Sequence, residues 1–238
     1  MGRIDLYLGS DLGHWALEQI PAGDIRQVFT LDESIAEAAR KLGVKVWVED
    51  ANSVNFDPAG FGFSIHYPRI LKPAVISRYD GLYNLHPGYL PWGRGFYPIF
   101  WALWEQTPAG ATLHEISPGL DEGPIVSQIQ VAYDESDTGE SLFRRVREAE
   151  KALFLEYWPS IADGKAIPSF SQETRVGSFH SRREFLDIKG RANLEGMSAN
   201  DLLRLARCLT FPPYTGLLLT LGEQSFELCL KPVTQGNA

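Results

Sequence analysis

The sequence predicts an α/β fold: a Rossmann-like, mostly parallel sheet with helices on both faces, followed by a small C-terminal helix-plus-hairpin extension. Three observations predict it. Short apolar runs alternate with helix-period segments through the first half, the pattern of strands joined by helical crossovers. These runs end on turn residues, as at Gly9-Ser10 and Gly43. After Pro159 the composition turns polar and charged, and helical periodicity returns only near Ser198.

Each element has a local reason. Ile4–Leu8 is an apolar run entering a tight turn. From Asp11 to Ile20, Leu12, Trp15, Ala16 and Ile20 recur at helical spacing until Pro21 stops the helix. Ile25–Thr30 is the second strand. Asp32 or Ser34 caps a helix over Ile35–Leu42, and Gly43 ends it. Val44–Val48, Gly60–Ile65 and Leu82–Asn84 supply three further strands. A loop rich in Pro, Gly and aromatics follows Asn84, then a buried helix over Ile99–Trp104 and strands over Ala111–Ile116 and Ile125–Val131.

Ser136 or Thr138 starts an amphipathic helix reaching about Tyr157. Leu142, Val146, Ala149, Leu153 and Tyr157 form its apolar face; Arg144, Arg145, Arg147, Glu148 and Glu150 occupy the other. Ser169–Gly177 is polar, and Phe179–Arg191 is charged and irregular, with His180 solvated. Ser198 caps a helix over Asn200–Leu209, and Tyr214–Leu221 and Phe226–Leu230 flank a hairpin turn. The main domain is thus placed at residues 1–170 and the extension at 171–238. The extension holds too little apolar material to fold alone. Leu202, Leu203, Leu205, Leu209, Leu217–Leu219 and Leu221 exceed what a short helix and hairpin need, which predicts a homodimer with a twofold mate on that surface.

Composition narrows the partners. The chain has 238 residues and a net charge of −8, with 44% apolar residues. That excludes disorder. The acidic balance argues against a general nucleic-acid binder and against a polybasic membrane-surface protein. Cys208 and Cys229 form no metal or redox pattern, and no metal cluster is visible. The start shows no signal-peptide pattern, and no stretch approaches the roughly 18 consecutive apolar residues of a membrane span. A cytoplasmic location is expected.

Few residues suggest chemistry. Gly9-Ser10-Asp11-Leu12-Gly13 follows the first strand, but the dinucleotide fingerprint is absent, because Asp11 stands where a glycine must let backbone approach a pyrophosphate. It reads as a plain strand-to-helix turn. Asn84 and His86 are different. In extended chain, residues two apart point the same way. An amide and an imidazole then face one cleft at the carboxyl end of a parallel strand, where open α/β sheets keep their sites. Downstream, Thr112-Leu113-His114 begins a strand, and Asp121-Glu122 sits in a glycine-bounded turn. Asn, His and Asp together offer an oxyanion donor, a base near neutral pH, and a carboxylate to orient that base. His66 and His14 show no evident partner and read as surface or packing residues.

A resemblance sharpens this reading. Asn84-Leu85-His86-Pro87, then Leu90-Pro91-x-x-Arg94-Gly95-x-x-Pro98-x-x-Trp101-Ala102, then Thr112-x-His114, then Asp121-x-Gly123-x-Ile125 resembles the catalytic domain of the N10-formyltetrahydrofolate-dependent formyltransferases. Leu209-Thr210-Phe211-Pro212-Pro213-Tyr214 resembles the C-terminal extension of the sugar N-formyltransferases in that family. The resemblance implies the formyltransferase fold, N10-formyltetrahydrofolate as co-substrate without a metal, and a nucleotide-linked amino-dideoxy sugar as acceptor, with a dTDP-linked one favoured. Such sugars usually end in bacterial surface polysaccharide. It implies Asn84, His86 and Asp121 as the catalytic set, with His114 holding Asp121 or its loop. A formyltetrahydrofolate hydrolase, or a formyltransferase acting on a ribonucleotide or amino-acid amine, would use the same set. Ile65, Tyr67, Leu82, Ile116 and Gly119 flank these residues and suit a pterin slot. Tyr89, Trp92 and Tyr97 suit nucleobase stacking or simple packing, and Tyr214 reaches in from the tail. Arg94, beside Gly95, suits a diphosphate or serves as a structural anchor. The cleft is expected to be locally positive, with Arg94 and Arg182-Arg183 as its carriers.

Overall fold

Five consecutive residues with no exposed side chain, Ile4–Leu8, form the strand β1 in the interior of the sheet. The computed structural model describes residues 3–165, 167–173, 175–190 and 196–231. Arg191 and the side chain of Leu221 lie outside what is described. After β1 come α1 (Ser10–Gln19), β2 (Ile25–Thr30), α2 (Glu33–Lys41), β3 (Lys45–Trp47) and β4 (Phe61–Ile65). Then follow α3 (Pro73–Ile76), β5 (Gly81–His86), β6 (Arg94–Gly95), α4 (Pro98–Glu105), β7 (Ala109–Glu115) and β8 (Ile125–Val131). The chain continues with α5 (Gly139–Ala162), β9 (Phe179–His180), α6 (Arg182–Gly190), α7 (Ala199–Leu209), β10 (Leu217–Leu221) and β11 (Gln224–Leu228).

The main sheet has the order β3-β2-β1-β4-β5-β7-β8. β3 through β5 run parallel, and β7 and β8 close the edge antiparallel. The expected α/β class and the mostly parallel sheet are what the chain adopts. β10 and β11 form the separate hairpin, and β6 pairs with β9 in a two-stranded ladder that sequence reading did not anticipate.

The helix layer differs from expectation. α1, α2, α4, α5 and α7 all contribute to one cluster, against Leu6, Leu8, Phe63, Ile65 and Leu85 on one face of the sheet. On the opposite face Tyr7, Phe29 and Leu82 are covered by Phe56, Leu71 and Val75, from the connections either side of β4. These connections contain only the single-turn α3, so aromatic packing replaces a helix: Tyr7 stacks on Phe29 at 4.7 Å between ring centroids, and Phe56 sits 4.6 Å from Phe29.

Capping sets the helix starts. The Asp32 side chain accepts from the backbone N–H of Ser34 and Ile35 at the head of α2. Thr138 and Ser141 form a reciprocal capping box at the head of α5. α5 then runs through Pro159 to Ala162, because Trp158 and Ile161 still bury against the sheet. Its charged face is not all solvated, since Arg147 and Glu150 are buried.

The segment read as irregular is the helix α6. Its signal was present as Ser181-x-x-Glu184: the Ser181 hydroxyl accepts from the Glu184 N–H at 3.2 Å, and the Glu184 carboxylate accepts from the Ser181 N–H at 2.6 Å. His180 is buried rather than solvated, stacked on Trp101 with centroids 3.6 Å apart. α7 and Leu217 share the main core, so the last part of the chain packs on the sheet's helical face. Among the described residues, no helix is long and apolar enough to cross a membrane.

Candidate active site

β5 delivers Asn84 and His86 to the carboxyl edge of the parallel strands. The antiparallel register with β7 places Asn84 opposite His114 and His86 opposite Thr112. The Asn84 amide Nδ2 lies 3.2 Å from His114 Nε2. His114 Nδ1 is 2.8 Å from the Glu115 carbonyl, an acceptor only, so the ring proton sits on Nδ1. Burial pushes the His114 pKa down despite the nearby Asp121 carboxylate, which keeps the ring neutral. A neutral ring protonated on Nδ1 presents a lone pair at Nε2, and Asn84 donates to it. One of the two Nδ2 protons is thereby committed, leaving the other for a ligand oxygen.

The same logic assigns His86. Its Nε2 is 2.9 Å from the Gly93 carbonyl and must donate there. Nδ1 is then the nitrogen left for proton transfer, and it lies 3.7 Å from Asp121 Oδ2. Asp121 Oδ1 is 3.7 Å from His114 Nε2. Asp121 occupies the turn between β7 and β8 at φ 54°, a left-handed conformation that Asp tolerates better than most residues. Its Oδ2 accepts from the Gly95 N–H at 2.8 Å, and Gln172 donates to its carbonyl at 2.9 Å. Asn84, His86, His114 and Asp121 thus come together from β5, β7 and one turn, with both histidines buried.

Two cavities adjoin this group. The first, about 330 Å³, is lined by Asn84, His86, His114 and Asp121 together with Tyr67 and Ile116. The second, about 670 Å³, is walled by Phe143, Phe185, Phe211 and Tyr214, with Lys189 among them. They share His66, Pro87, Tyr97 and Pro98 as a common wall.

Residues 60–157 match the family model described as formyl transferase. That span holds β4 to most of α5, and with them Asn84, His86, His114 and Asp121. Over this span the chain is similar to the formyl transferases. A 4-N formyltransferase from Francisella tularensis shares the fold over 97% of this chain and 97% of its own, with a TM-score of 0.84 and 19% identity. A formyltransferase from Anoxybacillus kamchatkensis, solved with UDP-4,6-dideoxy-4-formamido-L-AltNAc and tetrahydrofolate, is 28% identical over 74% of this chain and 96% of its own, with a TM-score of 0.58. An N-formyltransferase from Helicobacter canadensis, solved with folinic acid and dTDP-3-aminofucose, covers 94% of this chain and 85% of its own at 19% identity and a TM-score of 0.73.

The other candidate residues separate into groups. Tyr67, Ile116 and Gly119 line the first cavity. Ile65 and Leu82 do not: both side chains are buried in the core, on opposite faces of the sheet. Gly95 and Tyr97 line the first cavity, and Tyr97 and Tyr214 line the second. Tyr89, Trp92 and Arg94 line neither. Arg94 is buried and binds Glu122 at 2.9 Å, so its fork braces the turn that carries Asp121. Arg182 and Arg183 are exposed on α6, and Arg69 and Lys189 are the basic residues other than histidine at the cavity walls.

Sequence reading missed His66. Its Nε2 is 2.7 Å from the buried Glu150 carboxylate and its Nδ1 is 3.0 Å from the Ser10 hydroxyl. The signal that could have found it is position: His66 directly follows β4, at the same sheet edge that presents His86. Phe185 and Lys189 were missed because α6 itself was missed.

Proposed function

We propose that this protein is a formyltransferase that moves the formyl group of N10-formyltetrahydrofolate to the amine of a nucleotide-linked amino-dideoxy sugar, a dTDP-linked sugar being favoured. The observation that carries this reading is the pair of cavities meeting beside His86, which lets a donor and an acceptor approach from two sides. The first suits the donor: Tyr67, Leu71, Ile116 and Pro118 give apolar walls for a flat pterin, and Ser64 and Ser117 add polar groups. The second suits the acceptor: its aromatic walls can stack a nucleobase, and Lys189 can meet a diphosphate. Related folds solved with folates and with dTDP- or UDP-linked sugars support both assignments.

The reaction then proceeds in two steps. The sugar amine nitrogen bonds to the formyl carbon, giving a tetrahedral intermediate with an oxyanion. The free Nδ2 proton of Asn84 donates to that oxygen. His86 Nδ1 takes the proton released by the amine, beside the Asp121 carboxylate. Collapse of the oxyanion breaks the bond to N10, which receives the proton from His86, and the formamide and tetrahydrofolate leave.

Residues 1–170 act as the catalytic domain and 171–238 as the extension. We place the enzyme in the cytoplasm, making precursors of surface polysaccharide such as O-antigen. Leu203, Leu218 and Phe226 are about half exposed on α7 and the hairpin, and a second copy of the chain is the proposed cover. Sedimentation at micromolar concentration is expected to give twice the monomer mass; a monomer there would remove the dimer.

The functional assignment is tested with N10-formyltetrahydrofolate and a panel of dTDP-, UDP- and GDP-linked amino sugars. Formamide product is expected with at least one. Formate release without any formylated sugar would instead make the enzyme a hydrolase.

A further inference from the structure

The short segment from Gly177 to His180 is wired into the loop that supports the site. The Ser178 hydroxyl accepts from the Gly93 N–H at 3.0 Å, and its carbonyl accepts from the Arg94 N–H at 3.1 Å. Its own N–H donates to the Pro91 carbonyl at 3.2 Å, and the His180 carbonyl accepts from the Phe96 N–H at 2.9 Å. Two glycines permit this approach. At Gly177, φ is 98° and a Cβ would meet the Pro91 carbonyl oxygen at 2.2 Å; at Gly95, φ is 90° and a Cβ would meet the His180 carbonyl oxygen at 2.3 Å. His180 anchors the segment to α4 by stacking on Trp101, with its Nε2 3.0 Å from Glu105.

The loop held in this way supplies two backbone groups to the site. The Gly93 carbonyl accepts a hydrogen bond from His86 Nε2, and the Gly95 N–H donates to Asp121 Oδ2. We propose that Ser178 is a positioning residue for the transfer reaction: its hydroxyl holds the Trp92–Gly93 peptide and its carbonyl the Gly93–Arg94 peptide, and with Gly93 fixed on both sides the Gly93 carbonyl keeps the His86 proton on Nε2 and leaves Nδ1 bare for the acceptor's proton. This rests on the role given above to His86. Ser178 lines neither cavity, so its effect passes through the loop it holds from Pro91 to Arg94, and the hydroxyl's share of it through the Gly93 N–H.

The test uses the full chain labelled with 15N-histidine, with the His86 signals identified by their loss in His86→Asn. In the wild type, Nε2 is expected to show a protonated and Nδ1 an unprotonated nitrogen signature. In Ser178→Ala the two signatures should mix, and kcat should fall about tenfold, the loss expected of one buried hydrogen bond, with KM values near wild type. Ser178→Thr should restore both. Ser178→Cys, with a weaker acceptor of similar size, takes the place of Ser178→Ala if the alanine variant does not fold. A wild-type proton on Nδ1 would overturn the proposal. So would a Ser178 variant with an unchanged spectrum, whether or not kcat falls, since that outcome assigns Ser178 a structural role only. If no acceptor is formylated, the functional reading fails by itself, and the nitrogen signatures still decide the placement of the His86 proton.

Discussion

Replacing Asn84 with alanine is expected to lower kcat for formyl transfer by about 10²–10³-fold, or roughly 3–4 kcal/mol of transition-state stabilisation, the usual loss when one oxyanion donor is removed. The KM values should change little, because the oxygen carries full charge only in the tetrahedral state. Folding should survive. Asn84 is half-buried at the cavity wall, and its loss leaves only His114 Nε2 without its donor, a cost of about 1–3 kcal/mol. Asn84→Asp makes a stringent companion, since it keeps the size and replaces the donor with a negative charge at the oxyanion position. Single-turnover rates with saturating donor and acceptor isolate the chemical step. If Asn84→Ala and His86→Ala both retain near-normal transfer, the catalytic assignment is wrong.

That prediction depends on features of unequal legibility. The side-by-side placement of Asn84 and His86 follows from strand alternation alone, and the structure keeps it because β5 stays extended through His86. The approach of His114 needed the antiparallel register of β7, which no local pattern specifies. Asp121 was visible as a turn residue, but its contact with His86 depends on a left-handed backbone and on the Gly95 N–H, from a loop distant in sequence. Arg94 stood between a diphosphate contact and a structural anchor for a physical reason. A guanidinium in an aromatic loop suits a phosphate, yet the same fork suits Glu122, and the fold brings that carboxylate to 2.9 Å. The absence of a second helix layer was hidden too. Phe56, Leu71 and Val75 cover the sheet from irregular segments, where apolar residues have no period to read.

Asp121→Asn is expected to cost about 10²–10⁴-fold in kcat, the range of an impaired acid–base step, while leaving the turn in place. Asn tolerates the φ of 54° as well as Asp does, and its amide oxygen can still accept from the Gly95 N–H. That constraint fixes the orientation of the new amide. The oxygen stays 3.7 Å from His86 Nδ1, now without charge, and the NH₂ group falls where Oδ1 stood, 3.7 Å from His114 Nε2. Two losses follow. The imidazolium formed at His86 when the amine gives up its proton no longer faces a carboxylate. The new NH₂ competes with Asn84 for the single lone pair of His114, which loosens the oxyanion donor as well. The effects of Asp121→Asn and Asn84→Ala should therefore fall short of additive in the double variant, because the first already disturbs what the second removes. Asp121→Ala separates chemistry from folding. It leaves the Gly95 N–H without its acceptor and strains a left-handed position, so its melting temperature should fall below that of Asp121→Asn while its kcat is no higher. Full activity in Asp121→Asn would show that the carboxylate only holds the loop, and would leave His86 to manage the proton without it.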